Sequence, residues 1–90
     1  MIVQSEIIKS ILNHRNKHVF GIPGGGSSLN FIDNLIKNNI AFHTTHFEGS
    51  AAIMAGTIGK ISGSAGISIS IKGPGIANMV PGIALCHFEN

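Results

Sequence analysis

The chain has no tryptophan and no tyrosine, a single cysteine and three prolines, and charged residues make up only 11% of it. Each shortage excludes something. With Cys86 alone, no disulfide can form within the chain, and a reducing cytoplasm is the compartment expected. The cations Lys9, Arg15, Lys17, Lys37, Lys60 and Lys72 are scattered, and the net charge is only +2. Without a basic cluster or large aromatics for base stacking, no nucleic-acid partner is expected. No apolar run approaches the ~20 residues of a membrane span, so no membrane partner is expected either. The opening Met1-Ile-Val-Gln-Ser-Glu carries neither a basic leader nor a signal-type apolar core. A charged fraction less than half the usual ~25% leaves a neutral surface, expected either to be covered by more protein or to be sticky.

What is present reads as alternating helices and strands. Ninety residues suit one small domain or a piece of a larger one, and the 43% apolar content is ordinary. Ile7, Ile8, Ile11 and Leu12 give the stretch from Ser5 to Asn13 one apolar helical face. His18 to Ile22 is a short apolar run, cut by Pro23-Gly-Gly-Gly-Ser-Ser: a strand, then a loop. Ser27 or Ser28 is placed to cap a second helix with Leu29, Ile32, Leu35 and Ile36 on one side, ending at Asn38-Asn39. Ile40 to Phe47 is the second strand expected, and a small-residue helix follows that should fray through Gly59 and end by Gly63. Ala65 to Ile71 alternates isoleucine with serine as a third strand. Ile76 to Phe88 reads as a last helix, in which Pro81 would clash with the carbonyl of Ala77 unless the helix starts late or kinks.

Strands separated by helices run parallel, with right-handed crossovers. The fold class expected is therefore α/β, in three layers: a parallel sheet with flanking helices. Three parallel strands make a thin sheet, and the chain stops at Cys86-His-Phe-Glu-Asn where a fourth is due. Residues 1–90 are accordingly expected to be a partial domain.

In open parallel sheets, ligands bind beyond the carboxyl ends of the strands. Pro23 to Ser28, Glu48 to Ser50 and Gly73 to Asn78 converge there. Glu6 and Asp33 fall on helix surfaces and Glu89 near the chain end, so Glu48 is the one acid at a strand–helix junction. It reads either as a catalytic carboxyl or as a first-turn glutamate interacting with the helix dipole, an effect of about 0.3–1 kcal/mol. The glycine loop reads as a phosphate cradle or as a turn with a serine cap, and it matches neither common nucleotide-binding pattern. His43 and His46, three apart on a strand, point to opposite faces and make no metal pair. Cys86-His87 lacks a third partner, and His14 and His18 are expected to be solvated.

Three segments taken in order carry a resemblance. Val19-Phe-Gly-Ile-Pro-Gly resembles the first strand and turn of the pyrimidine-binding domain in the acetolactate synthase and benzoylformate decarboxylase branch of thiamin diphosphate (TPP) enzymes. Phe47-Glu-Gly-Ser-Ala-Ala-Ile-Met-Ala resembles that family's His-Glu-x-Ala-Ala-x-x-Met-Ala. Gly63-Ser-Ala-Gly-Ile and Lys72-Gly-Pro-Gly-Ile-Ala-Asn resemble Gly-Lys-x-Gly-Val and Ser-Gly-Pro-Gly-x-x-Asn. Four departures stand out: Phe47 replaces the usual His, Gly49 the common Gln, Lys72 the usual Ser or Thr, and Pro81 is unusual.

The resemblance implies a TPP-binding role in an enzyme acting on 2-oxo acids, a decarboxylase or an acetolactate-synthase-like carboligase. It makes Glu48 the residue that hydrogen-bonds the cofactor's aminopyrimidine ring nitrogen and favours its imino tautomer. Such a carboxyl must share a proton near neutral pH, and Phe47, Ala51 and Ala52 are expected to give it dry surroundings. Gly73, Pro74, Gly75 and Asn78 would also lie at the cofactor, and Gly24, Gly25, Gly26 and Ser27 would border the substrate pocket. The family holds the diphosphate and Mg²⁺ through a second domain bearing Gly-Asp-Gly, a stretch this sequence lacks. A diphosphate-binding domain or subunit is therefore the partner implied, in a homo- or hetero-oligomer. Two alternatives stay open: a non-catalytic remnant or partner-binding module of the same fold, and, with less support, an unrelated nucleotide-binding domain.

Overall fold

The computed structural model describes residues 2–24, 28–71 and 73–89. Seven elements follow one another: α1 (Ile2–Leu12), β1 (His18–Gly21), α2 (Ser28–Lys37), β2 (Ala41–Thr44), α3 (Glu48–Ser62), β3 (Ile67–Ile69) and α4 (Pro74–Glu89). The strands pair in the order β2-β1-β3, all parallel, with Val19 opposite Phe42 on one side and Ile67 on the other. This is the α/β arrangement expected, a parallel sheet with helices on both faces.

Strand alternation sorts the core into two layers. Val19, Phe42, Ile67 and Ile69 face Ile8, Ile11, Leu35 and Ile40, contributed by α1, α2 and the residue before β2. Phe20 points the other way, onto Ala51, Ala55 and Ile58 of α3. Because β2 and β3 lie on opposite sides of β1, right-handed crossovers send α2 to one face and α3 to the other. The carboxyl ends of β1 and β3 thus lie where the winding reverses, the place at which open parallel sheets take ligands.

The element boundaries depart from expectation for physical reasons. β2 and β3 are shorter than predicted, because the ladder extends only as far as its partner. After Thr45 N–H donates to the Gly21 carbonyl at 2.9 Å, the chain turns away, and the Thr45 hydroxyl donates to the Phe47 carbonyl at 3.0 Å. α3 does not fray at Gly59. It runs to Ser62 and closes on Gly63, whose φ of 72° lets its N–H reach the Gly59 carbonyl at 3.0 Å. Gly59 is buried against the start of β3, where a β-carbon would sit 2.8 Å from the backbone nitrogen of Gly66. α4 begins on Pro74, a favourable first helical residue, and continues through Pro81, which has no N–H for the Ala77 carbonyl.

Two further expectations are corrected. On α2, Ile32 and Leu35 are buried, but Leu29 and Ile36 are exposed, since the helix covers less of the sheet than its apolar stripe is wide. Phe31 joins the core in their place. Nor are His14 and His18 merely solvated. His14 Nδ1 lies 3.0 Å from Ser64 Oγ, and His18 Nδ1 lies 2.9 Å from His43 Nε2, with the His43 ring stacked 5.0 Å from Phe20. Beside them Asn16 is buried. Its amide donates to the Ala65 carbonyl at 3.2 Å and its oxygen accepts from His18 N–H at 2.9 Å, joining the loops that enter β1 and β3. No described helix is long and apolar enough to cross a membrane.

Candidate functional site

The β2-to-α3 turn sets Glu48 as the first residue of α3. Phe47 before it is extended (φ −153°, ψ 141°) and its side chain makes no capping bond. The free N–H groups of that first turn favour negative charge. The half-buried Glu48 side chain reaches across to the start of α4. Asn78 Nδ2 donates to Oε1 at 3.5 Å. Oε2 lies 3.5 Å from the point a β-carbon on Gly75 would occupy, and that same point is 3.5 Å from Ser70 Cβ and 3.7 Å from Ile71 Cβ. The backbone of Gly75 is thus wedged between the exit of β3 and the carboxylate. α3 and α4 both begin at this spot, so two positive helix ends share it.

The β1 loop joins the group through Gly24, which lies against the Ile71 side chain. The Ser28 hydroxyl holds the loop's two ends together, donating to the Gly24 carbonyl at 2.6 Å and accepting from its N–H at 3.2 Å. Gly73 takes φ 80°, a conformation glycine adopts without strain, and so aims the chain from β3 into α4. The structure therefore brings together Gly24, Glu48, Gly73, Pro74, Gly75 and Asn78. Gly25, Gly26, Ser27 and Lys72 lie outside the described residues.

The dry pocket expected around Glu48 is only half formed. Ala51 and Ala52 are buried, but Phe47 is 45% exposed, with its ring lying over Gly49. Glycine at 49 is what allows this, since a β-carbon there would come within 2.6 Å of Phe47 Cε2. Among the described residues no three His, Cys, Asp or Glu side chains come together. Cys86 serves packing: its Sγ donates to the Ala52 carbonyl at 3.6 Å, in the seam between α3 and α4. An open cavity of about 550 Å³ lies at the other end of the molecule, lined by Lys60, Gly63, Gly66 and Leu85 among others, remote from Glu48.

Within the site, one contact has no counterpart in the sequence pattern: Asn78, expected only to lie at the cofactor, reaches a carboxylate thirty positions earlier. The one hint was its spacing from Gly75, which at three residues puts both on one face of α4. Chemically, the site presents one carboxylate oxygen beside a stretch of α4 backbone that carries no side chain at Gly75.

Residues 1–90 match the family model described as thiamine pyrophosphate enzyme, N-terminal TPP binding domain. The chain belongs to this family. Among curated relatives, the TPP-enzyme domain is 37% identical over 73 residues to a catabolic acetolactate synthase of Raoultella terrigena, covering 81% of this chain and 13% of that protein. It is also 37% identical over 84 residues to a probable acetolactate synthase large subunit of Methanocaldococcus jannaschii, covering 93% of this chain and 14% of that one. A third relative, an acetolactate synthase large subunit of Pyropia yezoensis, is 34% identical over 92 residues, covering 93% and 15%. The chain is thus an acetolactate-synthase-like TPP-binding domain that spans about a seventh of these relatives' length.

Proposed function

We propose that this chain supplies the aminopyrimidine half of a TPP site in an enzyme acting on 2-oxo acids, with Glu48 as its catalytic carboxylate. The observation that carries this reading is the setting of Glu48: the first residue of α3, at the carboxyl ends of the strands, with Oε2 facing the bare backbone of Gly75. A β-carbon at Gly75 would stand in ordinary contact with Oε2, so glycine there leaves that oxygen uncovered by any side chain of residue 75, which supports a ring nitrogen as its partner. When bound, the cofactor supplies the electron sink for breaking a bond beside a 2-oxo group.

The chain's own residues supply orientation and a proton site. Glu48 holds a proton at the ring nitrogen, Gly73 and Pro74 shape the turn that puts Gly75 in place, and Gly24 to Ser27 border the substrate. Mg²⁺ and the diphosphate would be held by a second domain or subunit in an oligomer, and residues 1–90 would be part of a larger pyrimidine domain. An apolar outer surface on α3 and α4, with Ile53, Met54, Val80, Ile83 and Phe88 exposed, supports a partner there. The same surface favours a second reading, in which the fold is kept as a non-catalytic partner-binding module.

Glu48→Gln in the complete enzyme separates the two. The amide keeps the shape but cannot accept and return a proton, and turnover should fall at least about 100-fold. Near-normal turnover would overturn the catalytic assignment. For the chain alone, calorimetry with TPP and Mg²⁺ should show no binding; tight binding would overturn the half-site reading.

A further inference from the structure

We infer that Asn78 is the positioning residue for Glu48, and that the two carboxylate oxygens have separate duties: Oε1 is held by the Asn78 amide and Oε2 is presented over Gly75. This rests on the reading of Glu48 given above. A glutamate side chain turns about three bonds, and at a helix start it is free to sweep through solvent. Phe47, exposed and turned onto Gly49, does not confine it. The Asn78 Nδ2 donor, 3.5 Å from Oε1, is the contact that does.

The chemistry of that donor matters. Among the described residues the ion pairs are Lys9–Glu6 and Lys37–Asp33, and Glu48 takes part in neither. An Arg or Lys partner would hold the carboxylate by its charge as well as by its donor. A neutral amide fixes direction without placing a charge beside the carboxylate. Oε2 meets no side chain of residue 75, because that residue is glycine. Gly75 and Asn78, three apart on α4, thus supply a position without a side chain and the restraint from one helix face. A plain tie between helices would need the donor but not a glycine beside it.

Side-chain NMR on the isotope-labelled chain tests this without cofactor. The χ1 and χ2 couplings of Glu48 should report one conformer in the original chain. They should average in Asn78→Ala and in the isosteric Asn78→Asp, with backbone amide shifts outside the α3 and α4 starts unchanged, and Asn78→Gln, which keeps an amide donor, should restore the single conformer. An averaged Glu48 in the original chain, or an equally ordered one in Asn78→Asp and Asn78→Ala, would overturn the inference. Gly75→Ala, whose β-carbon would sit at ordinary contact distance from Oε2, should leave the couplings intact while weakening cofactor binding to the complete enzyme about tenfold. Unchanged affinity there would refute the assignment of Oε2. Because the couplings are read without cofactor, failure of the Glu48→Gln test leaves the positioning result standing, and the reverse holds too.

Discussion

Beneath α1 and α2 the sheet is covered by large aliphatic side chains, Ile8, Ile11, Leu35 and Ile40 packed around Val19. Beneath α3 the cover is Ala51 and Ala55, and α4 is laid on α3 at distances only glycine permits: a β-carbon on Gly82 would stand 2.6 Å from the Gly49 carbonyl and 2.7 Å from Ala52 Cβ. The first face is held by volume and the second by closeness. The candidate site grows from the second, where Glu48, Gly75 and Asn78 meet because their helices start almost in contact. A bulkier seam there would separate α4 from α3 and carry Asn78 away from the carboxylate.

Substitutions that add or remove volume should therefore act oppositely on the two faces. The largest effect is expected for Gly66→Val, whose β-carbon would overlap the Ala55 carbonyl, a backbone group with little freedom to move. A loss of about 4 kcal/mol or more in urea unfolding is expected, enough to unfold a domain of this size. Tolerance of valine at that position would break the claim that closeness holds this face. Leu35→Ala, at a fully buried position on the other face, should remove about 3 kcal/mol in the same measurement. A loss below about 1 kcal/mol would mean that the site collapses around the smaller side chain and that volume matters less than proposed. The smallest effect is expected for Phe88→Ser, at a position 84% exposed on α4: stability should stay within about 0.5 kcal/mol. If the α3–α4 surface meets a partner, the same change should weaken assembly in sedimentation, which sharpens the contrast between holding the fold and holding a neighbour.

Much of this was legible in the chain. Alternation at Ile67, Ser68 and Ile69 and the helical spacing of Ile8 and Ile11 come from local periodicity, and the parallel sheet follows from helices placed between strands. The position of Glu48 at a strand–helix junction follows from the same pattern. What was not legible depends on distant partners. No local signal tells that His18 will bond His43, that Asn16 will reach Ala65, or that Leu29 will find no sheet beneath it. The Asn78–Glu48 contact is of this kind, since two helix starts must first be brought together by a crossover that passes over β1. Pro81 shows the reverse case. A strong local rule argued for a break, and packing against α3 through Gly82 and Cys86 carries the helix through.

Gly66 bears on how such a domain can vary. Every other amino acid carries a β-carbon, so every missense change at this codon drives an atom into the Ala55 carbonyl. Leu35 can drift to methionine or isoleucine with neighbours repacking around it. Gly66 has no such neighbourhood of tolerated states. In a saturation library selected for folding, this position should admit no other residue, and variation on the α3–α4 side should be forced outward, onto the exposed helix surface.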